Sequence, residues 1–585
     1  MKYVFAGAFV GLLLLSGVAW LIRPRATEEG KTPLVWVSDD NPARREQIEM
    51  FNLLFHDGDV SDWTTLCRKL VAAATGRPSP SARLWALLPE EARTLAREAA
   101  QGRALAPAQR QCFLQALNDV LKGPDFFRQG DFGEVALPPD LRRALKRDPK
   151  AITEMSVRGM NARLLELCYP EEIKRKLDLR LDPSNVGMQK VIVQCIGGVG
   201  PDLFDCYDGF QLSAYVKSGI AWDVTDELAA VGVDVKRDVW AAAHPNCIFE
   251  GRTYGFATNA SVNAIWFNKD IFDEQKIPYP KGSWTWEEFL PLAQRLTVRG
   301  ANGRPKHFGF MLDWWNWRHF CLQWGGRVYT EDGTRCILDS PGNIAAIQFL
   351  QDLIYKHKVS PSPVDEANMA TTGGWGSGTI TFFGGGKAAM ALGGRWWLCN
   401  LRKYEKLRMG AVECPYPKDG RRVFRGYGRA TLINKNSPRH KEALEFLKYM
   451  AGKEYNELIN HQADALAPVI RYCHTDLYLH DPDFPNEDFN EVWRDVMKPG
   501  IPDEVSPFIN GNVASRIIEK QIDLVKNGQK PAAEALRTAA REVNEAIQKA
   551  VERNPELRER YGRLRRNATK AGIPSAKPQV PKETQ

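Results

Sequence analysis

The sequence lacks the short motifs that mark several common enzyme classes. It contains no HExxH and no GxSxG, and its nine histidines are scattered along the chain. Gly384-Gly385-Gly386-Lys387 is followed by alanine, and Thr381 stands where a phosphate-binding loop needs its first glycine. The chain is therefore not an ATPase, and nothing in it favours a zinc peptidase or a serine hydrolase.

Paired cysteine motifs are also missing. None of the eleven cysteines forms a CxxC, and the odd number leaves at least one of them without an intramolecular partner. Cys321 with Cys336, or Cys399 with Cys414, could close short loops in an oxidising compartment, while isolated buried thiols fit the sequence equally well. We predict no metal site and no cofactor.

The charge is nearly balanced. The 79 basic and 71 acidic residues give a net charge of +8, and the basic runs lie in the last stretch, Arg553 to Lys582. A solvated helix and tail explains those runs better than a nucleic-acid site, so we predict no nucleic-acid partner. Apolar residues make up 44% of the positions, a share that is typical of globular chains. The chain of 585 residues is long enough for several domains.

Long apolar runs are absent except near the amino terminus. Tyr3 to Ile22 carries no charge and is about 20 residues long, which matches a hydrocarbon core of about 30 Å. We find no clear small-x-small cleavage site before Arg23 and no cysteine for lipid attachment. We therefore interpret residues 3–22 as an uncleaved membrane anchor, with a cleaved signal sequence as the alternative.

Strand and helix patterns alternate along the chain. Leu34 to Val37 predicts a strand, and Asp40-Asn41-Pro42 then predicts the start of a helix. After residue 177 the alternation resumes, and Thr285-Trp286-Glu287-Glu288 forms a capping box. Between these parts, about 120 residues from His56 to Lys176 have helical periodicity, which is too long for a loop.

We interpret this stretch as an inserted helical domain. Its predicted amphipathic helices are Trp63 to Ala74, Pro89 to Ala100, Ala108 to Leu121 and Pro139 to Arg147. Their apolar faces could dock a partner, but packing against one another explains the pattern better.

Several motifs occur together in a distinctive order. They read G-R-T-Y-G-F-A-T-N, A-I-W-F-N-K-D-I-F and W-T-W-E-E-F between Gly251 and Thr297, F-G-G-G-K-A-A-M at Phe383 to Met390, and Gly394-Arg395-Trp396. Ser437 to Leu447 looks like a further helix motif of the same set. This order resembles the extracellular solute-binding proteins of ABC importers, of the maltose-binding type. The inserted segment is the main departure.

The resemblance implies a two-lobed, periplasmic-binding-protein-like α/β fold with crossing hinge strands. To this we add the inserted all-α domain and the N-terminal transmembrane or signal helix. The implied crossings fall near Ala257 to Ala260, Gly426 to Arg429 and Lys453 to Asp464. The predicted divisions are 1–30 signal or anchor, 31–55 first lobe, 56–176 helical domain, 177–257 first lobe, 258–425 second lobe, 426–455 first lobe, 456–555 second lobe and 556–585 basic tail.

The resemblance also implies a function. The chain would capture a small solute outside the cytoplasm and deliver it to ABC permease subunits, and it would not be an enzyme. A membrane-anchored sugar sensor and a glycan-degrading enzyme are the alternatives. Asp202, Asp205 and Asp208 could suggest the paired carboxylates of the enzyme, although turn and cap roles fit them better.

The seventeen tryptophans favour a carbohydrate, because sugars need flat aromatics for their apolar faces and polar groups for their hydroxyls. The resemblance places Trp396 and the Trp314–Trp317 loop in the cleft. The loop after the first strand lies where α/β sheets bind ligands. The predicted ligand-binding residues are Trp36, Ser38, Asp39, Asp40, Asp208, Thr258, Asn259, Trp314, Trp315, Trp317, Trp375, Trp396 and Asn510.

Overall fold

The computed structural model describes residues 30–77, 79–123, 125–126, 157–301, 303, 305–369 and 378–570. The predicted anchor, the predicted helix Pro139 to Arg147 and Trp375 lie outside these ranges. Within them, every helix is too short or too polar to cross a membrane.

Twelve strands are present in the described part of the chain. They are β1 Thr32–Val37, β2 Leu177–Asp182, β3 Leu203–Cys206, β4 Ile248–Phe249, β5 Arg252–Thr253, β6 Gly255–Asn268, β7 Val298–Arg299, β8 Pro305–Leu312, β9 Ala388–Gly394, β10 Met409–Val412, β11 Phe424–Ile433 and β12 Gly500–Ile501.

The helices of the same ranges are numbered in chain order. The first thirteen are α1 Ala43–Leu53, α2 Trp63–Ala73, α3 Pro80–Leu87, α4 Glu90–Ala100, α5 Pro107–Lys122, α6 Val157–Cys168, α7 Met188–Ile196, α8 Gly209–Lys217, α9 Thr225–Ala230, α10 Val235–Asp238, α11 His244–Cys247, α12 Lys269–Glu274 and α13 Trp286–Arg295. The others are α14 Trp317–Gln323, α15 Pro341–Tyr355, α16 Pro363–Met369, α17 Thr379–Gly384, α18 Leu398–Leu401, α19 His440–Ala451, α20 Lys453–Gln462, α21 Asp476–Leu479, α22 Asn490–Met497, α23 Gly511–Lys526, α24 Ala532–Arg553 and α25 Pro555–Lys570.

These elements form two compact units. Of the described residues, the smaller unit contains 30–36, 48–182 and 441–445, and the larger contains 37–47, 183–440 and 446–570. In the smaller unit, helices α2 to α6 surround a core of their own. Its fully buried members include Leu66, Cys67, Leu84, Phe113 and Leu165. The predicted helical periodicity in this stretch therefore corresponds to helices whose apolar faces pack on one another. The boundaries of an inserted domain remain a prediction.

Strand β6 organises the larger unit. Its first half, Gly255 to Val262, pairs antiparallel with β11, and its second half, Asn263 to Phe267, pairs antiparallel with β9. The order of strands is β3-β11-β6-β9-β8-β7, with β10 beside β6 and β12 beside β11. A strand of fourteen residues thus belongs to two groups of neighbours, as a crossing strand of a two-lobed fold must.

The third predicted crossing lies a few residues later than expected. Lys453 to Gln462 is helix α20, and the chain meets β6 only where Leu466 exchanges backbone hydrogen bonds of 2.9 and 3.1 Å with Ala260. Ala463 and Ala465, between helix and crossing, both have positive φ, at 57° and 71°. Between these two left-handed residues lies Asp464, which is buried and pairs with Arg44.

Candidate ligand-binding site

A buried ion network joins the loop after β1 to the crossing strands. Nη1 of Arg429 on β11 lies 2.7 Å from Oδ2 of Asp39, and its Nε lies 3.3 Å from the carboxylate of Asp205 on β3. Arg44 on α1 lies 3.1 Å from Asp39 and 2.5 Å from Asp464. Two guanidinium groups therefore balance most of the charge of three carboxylates.

The network determines which carboxyls stay ionised. Burial opposes ionisation of Asp39, but Arg429 and Arg44 overcome it and lower the pKa of Asp39 to about 2. Asp205 is more deeply buried, and burial raises the pKa of its carboxyl despite Arg429 and a 2.6 Å hydrogen bond from Ser38. Of these two carboxyls, Asp39 is thus the one whose ionised form the network stabilises.

An aromatic group lies further along the crossing strands. The ring centroids of Trp315 and Tyr427 are 5.3 Å apart and nearly perpendicular. Nε1 of Trp396 donates a hydrogen bond of 3.1 Å to the hydroxyl of Tyr427, which itself donates one of 3.0 Å to Asn263. Trp315 is 40% exposed and Trp396 is half-buried, so both present ring surface that a ligand can reach.

Arg425 lies beside this aromatic group. Its Nε and Nη2 donate hydrogen bonds of 2.6 and 2.5 Å to the two carboxylate oxygens of Asp503. Its guanidinium carbon lies 4.8 Å from the ring centroid of Trp315 and 5.0 Å from that of Tyr427. The remaining nitrogen, Nη1, is buried and has no hydrogen-bond partner among the described residues. Because Nη1 is a buried donor beside the exposed ring of Trp315, it can donate a hydrogen bond to an oxygen atom of a ligand.

A cavity of about 340 Å³ opens beside the ion network. Asp39, Asp205 and Tyr207 line it together with apolar side chains, which include Val37, Val186 and Met188. Carboxylates beside apolar surface can bind hydroxyl groups and C–H faces of one molecule.

The other predicted residues take three kinds of position. Trp36, Ser38, Thr258, Trp314 and Trp317 are buried, with exposures between 0 and 8%. Asp208 and Asn510 cap helices α8 and α23 through backbone amides. Asp40 is exposed and Asn259 is half-buried on β6. Of the Trp314–Trp317 loop, only Trp315 therefore offers its ring to a ligand.

The adjacent tryptophans 396 and 397 differ sharply. Trp397 is fully buried, whereas Trp396 is half-buried and bonds to Tyr427. Only Trp396 can stack on a ligand.

Sequence reasoning missed the side chains of β11. Arg425, Tyr427 and Arg429 stand at alternate positions of this strand and so share one face. This period of two was readable in the sequence, in a segment otherwise rich in small and apolar residues. Their partners, Asp503 and Asp39, lie far away along the chain, so no local pattern predicts the pairs, although Asp39 itself was a predicted site residue.

Each carboxylate considered for glycoside hydrolysis is already held by neighbouring groups. Asp202 is buried and accepts hydrogen bonds from Ser437 and Arg439. Asp205 belongs to the ion network, and Asp208 caps α8. The cap interpretation therefore describes Asp208 correctly, whereas Asp202 and Asp205 each form an ion pair with an arginine.

The cysteines and one cluster of metal-ligating side chains lie outside the site described above. All eleven cysteines are free thiols, so neither Cys321 with Cys336 nor Cys399 with Cys414 forms a disulfide, and the alternative of isolated thiols holds. Ligand atoms of His461, Asp481 and Asp483 lie within 4.8 Å of one another. The 2.9 Å contact between His461 Nδ1 and Asp481 is a hydrogen bond that orients the imidazole.

Crossing strands, with ion pairs and aromatic rings projecting from them, define a two-lobed solute-binding fold of the periplasmic-binding-protein type. Residues 174–457 match the family described as bacterial extracellular solute-binding protein. The predicted resemblance to ABC-importer solute-binding proteins, of the type that binds maltose and other sugars, is confirmed.

Individual relatives are distant. The arabinooligosaccharide-binding protein of Bacillus subtilis is 24% identical over 295 residues, which cover 49% of this chain and 64% of that protein. The sn-glycerol-3-phosphate-binding periplasmic protein of Escherichia coli is 22% identical over 309 residues, covering 50% and 66%. An ABC substrate-binding protein of Listeria monocytogenes, solved with cycloalternan, superposes with a TM-score of 0.55 at 22% identity, covering 68% of this chain and 96% of that one.

Proposed function

We propose that the chain is the extracytoplasmic solute-binding subunit of an ABC importer and that it captures a carbohydrate on the crossing strands. The observation that carries this proposal is the shared face of Arg425, Tyr427 and Arg429, flanked by the reachable rings of Trp315 and Trp396. Aromatic rings stack on the C–H faces of a sugar, while guanidinium and carboxylate groups bond to its hydroxyls.

Capture would be coupled to closure. The site lies on strands that pass between two groups of neighbours, and a ligand that touches both groups stabilises the closed arrangement through its differential affinity. Closure then offers permease subunits a shape that the unliganded protein lacks. The predicted anchor at residues 3–22 would hold the protein at the outer face of the cytoplasmic membrane.

The relatives leave the ligand open, since their names cite both an arabinooligosaccharide and a phosphate ester. That the carbohydrate is an oligosaccharide is therefore part of the proposal. The inserted helical domain is also a proposal, with its packed core as support.

A ligand screen tests the function. Thermal shifts with a panel of oligosaccharides, polyols and amino acids should show stabilisation by a sugar, since a ligand that binds only the native state raises Tm. Small-angle scattering with that sugar should show a smaller radius of gyration. Release of reducing ends from the sugar would identify the glycan-degrading alternative. Shifts with amino acids alone would refute the carbohydrate proposal.

A further inference from the structure

We propose that this site selects an uncharged ligand and rejects phosphorylated or acidic sugars, with Arg425 acting as an already neutralised hydrogen-bond donor. The inference rests on the proposed function and specifies its substrate class. It follows from the way each cation on the crossing strands is already paired.

The pairing of Arg425 is the first step. Asp503 engages Nε and Nη2 together, at 2.6 and 2.5 Å, in the fork geometry that suits a carboxylate best. Burial opposes ionisation of Asp503, but Arg425 and then Arg318 lower the pKa of its carboxyl below its usual range. The carboxylate therefore stays charged at neutral pH, and a ligand phosphate would have to displace it to gain the same contact.

The pairing of Arg429 is the second step. Asp39 lies 2.7 Å from one side of its guanidinium and Asp205 lies 3.3 Å from Nε. Arg44, in turn, is held by Asp39 and Asp464. Neither guanidinium is left as an unmatched charge that could bind an anion.

The guanidinium groups around the site have carboxylate neighbours. Four guanidinium groups stand against five carboxylates, namely Arg44, Arg318, Arg425 and Arg429 against Asp39, Asp205, Asp208, Asp464 and Asp503. An anion entering this region loses its hydration and must compete with Asp503 and Asp39, which already hold Arg425 and Arg429, and both effects oppose binding.

An uncharged oxygen atom suits the one hydrogen-bond donor of Arg425 that Asp503 leaves without a partner. Because Asp503 occupies Nε and Nη2 of Arg425, the buried Nη1 is the nitrogen without a partner in the described chain. A hydroxyl or ring oxygen accepts its hydrogen bond without bringing charge. The rings of Trp315 and Tyr427 are close enough to hold the adjoining C–H surface.

Isothermal titration at pH 7 and low ionic strength tests the inference. The uncharged probes are arabinotriose, maltotriose, glucose and glycerol, and the anionic probes are trigalacturonate, glucose 6-phosphate, glucuronate and sn-glycerol 3-phosphate. We expect an uncharged probe to bind at least about tenfold tighter than every anionic one, because the carboxylates of Asp39 and Asp503 repel a ligand anion. An anionic probe that binds as tightly overturns the inference and leaves the solute-binding function intact. If no probe of either class binds, both this inference and the carbohydrate proposal fail.

A gain of function gives the second test. D503N removes the charge that neutralises Arg425, so the ratio of anionic to uncharged affinity should rise about tenfold. E413Q is the matched control, because Glu413 forms the same two-bond pair with Arg422 and the variant has the same net charge. An equal ratio in D503N, E413Q and the wild type would contradict the role of Arg425. If thermal unfolding of D503N is not cooperative, the variant is not folded, and the titrations of the wild type with charged and uncharged probes test the inference by themselves.

Discussion

Nη1 of Arg429 lies 2.7 Å from Oδ2 of Asp39, although the two residues are 390 positions apart in the chain. The contact bonds a crossing strand directly to the loop that follows β1. Because Asp205 and Arg44 share the same pair, a change at Arg429 disturbs the whole hinge network. The same network also borders the cavity in which we expect part of the ligand.

The R429M variant should lose about 3 kcal/mol of unfolding free energy at pH 7. Removal of Arg429 leaves Asp205, whose side chain is only 3% exposed, without its cation and leaves Asp39 with Arg44 alone. Urea unfolding measures the loss. K306M, at the exposed Lys306–Glu274 pair, should cost less than about 1 kcal/mol. Similar losses in the two variants would show that the network does not stabilise the hinge.

The W315A variant should weaken sugar binding by about 1–3 kcal/mol, on the scale of stacking on an aromatic ring. Its stability should change little, because the side chain is 40% exposed. Titration with the best sugar of the screen measures the effect. W222A serves as the control, since Trp222 is half-buried against His440 and away from the aromatic group. Unchanged affinity in W315A would remove Trp315 from the site.

A methyl group added at Gly394 or Gly393 should have two different effects. At Gly394 the new carbon would lie 2.5 Å from the ring of Trp396, and at Gly393 it would lie 2.4 Å from the ring of Trp397. Trp396 can move towards solvent, so G394A should mainly weaken sugar binding. Trp397 is fully buried, so G393A should lose about 1–3 kcal/mol of stability through overpacking.

Titration and urea unfolding of both glycine variants separate these effects. Equal loss of stability in G393A and G394A, with sugar affinity unchanged in G394A, would contradict the assigned positions of the two rings.

Stability should fall as the pH is lowered from about 6.5 towards 3. Burial, and then Arg425, lower the pKa of His319 from its usual 6.5 to about 3. Nδ1 of His319 accepts a hydrogen bond from the amide of Arg425, so the neutral ring is required. The unfolded chain binds a proton in this window that the folded chain does not, and the difference costs about 1.4 kcal/mol per pH unit at most.

Unfolding free energies between pH 4 and 7 check this slope in the wild type and in H319N. The variant should have a shallower slope, because it lacks the titrating ring. H480N, which removes a largely exposed histidine, should keep the wild-type slope. An unchanged slope in H319N would show that other groups cause the acid sensitivity.

The resemblance to solute-binding proteins implied the first two crossings. The pattern of the sequence predicted the α/β alternation and the helical nature of the stretch before β2. These are properties of local periodicity and capping, which a short segment carries by itself. The third crossing was placed too early because two alanines adopt a left-handed backbone that the sequence does not announce.

The sequence by itself determined that tryptophans would gather at residues 314–317 and 396–397 and that the chain resembles solute-binding proteins. Only the tertiary structure decided that Trp315 and Trp396 are the reachable rings, while Trp314, Trp317 and Trp397 are enclosed. It also decided that Arg425 meets Asp503 and Arg429 meets Asp39. Exposure and ion pairing depend on which distant segments fold against a side chain, and no local pattern encodes that information.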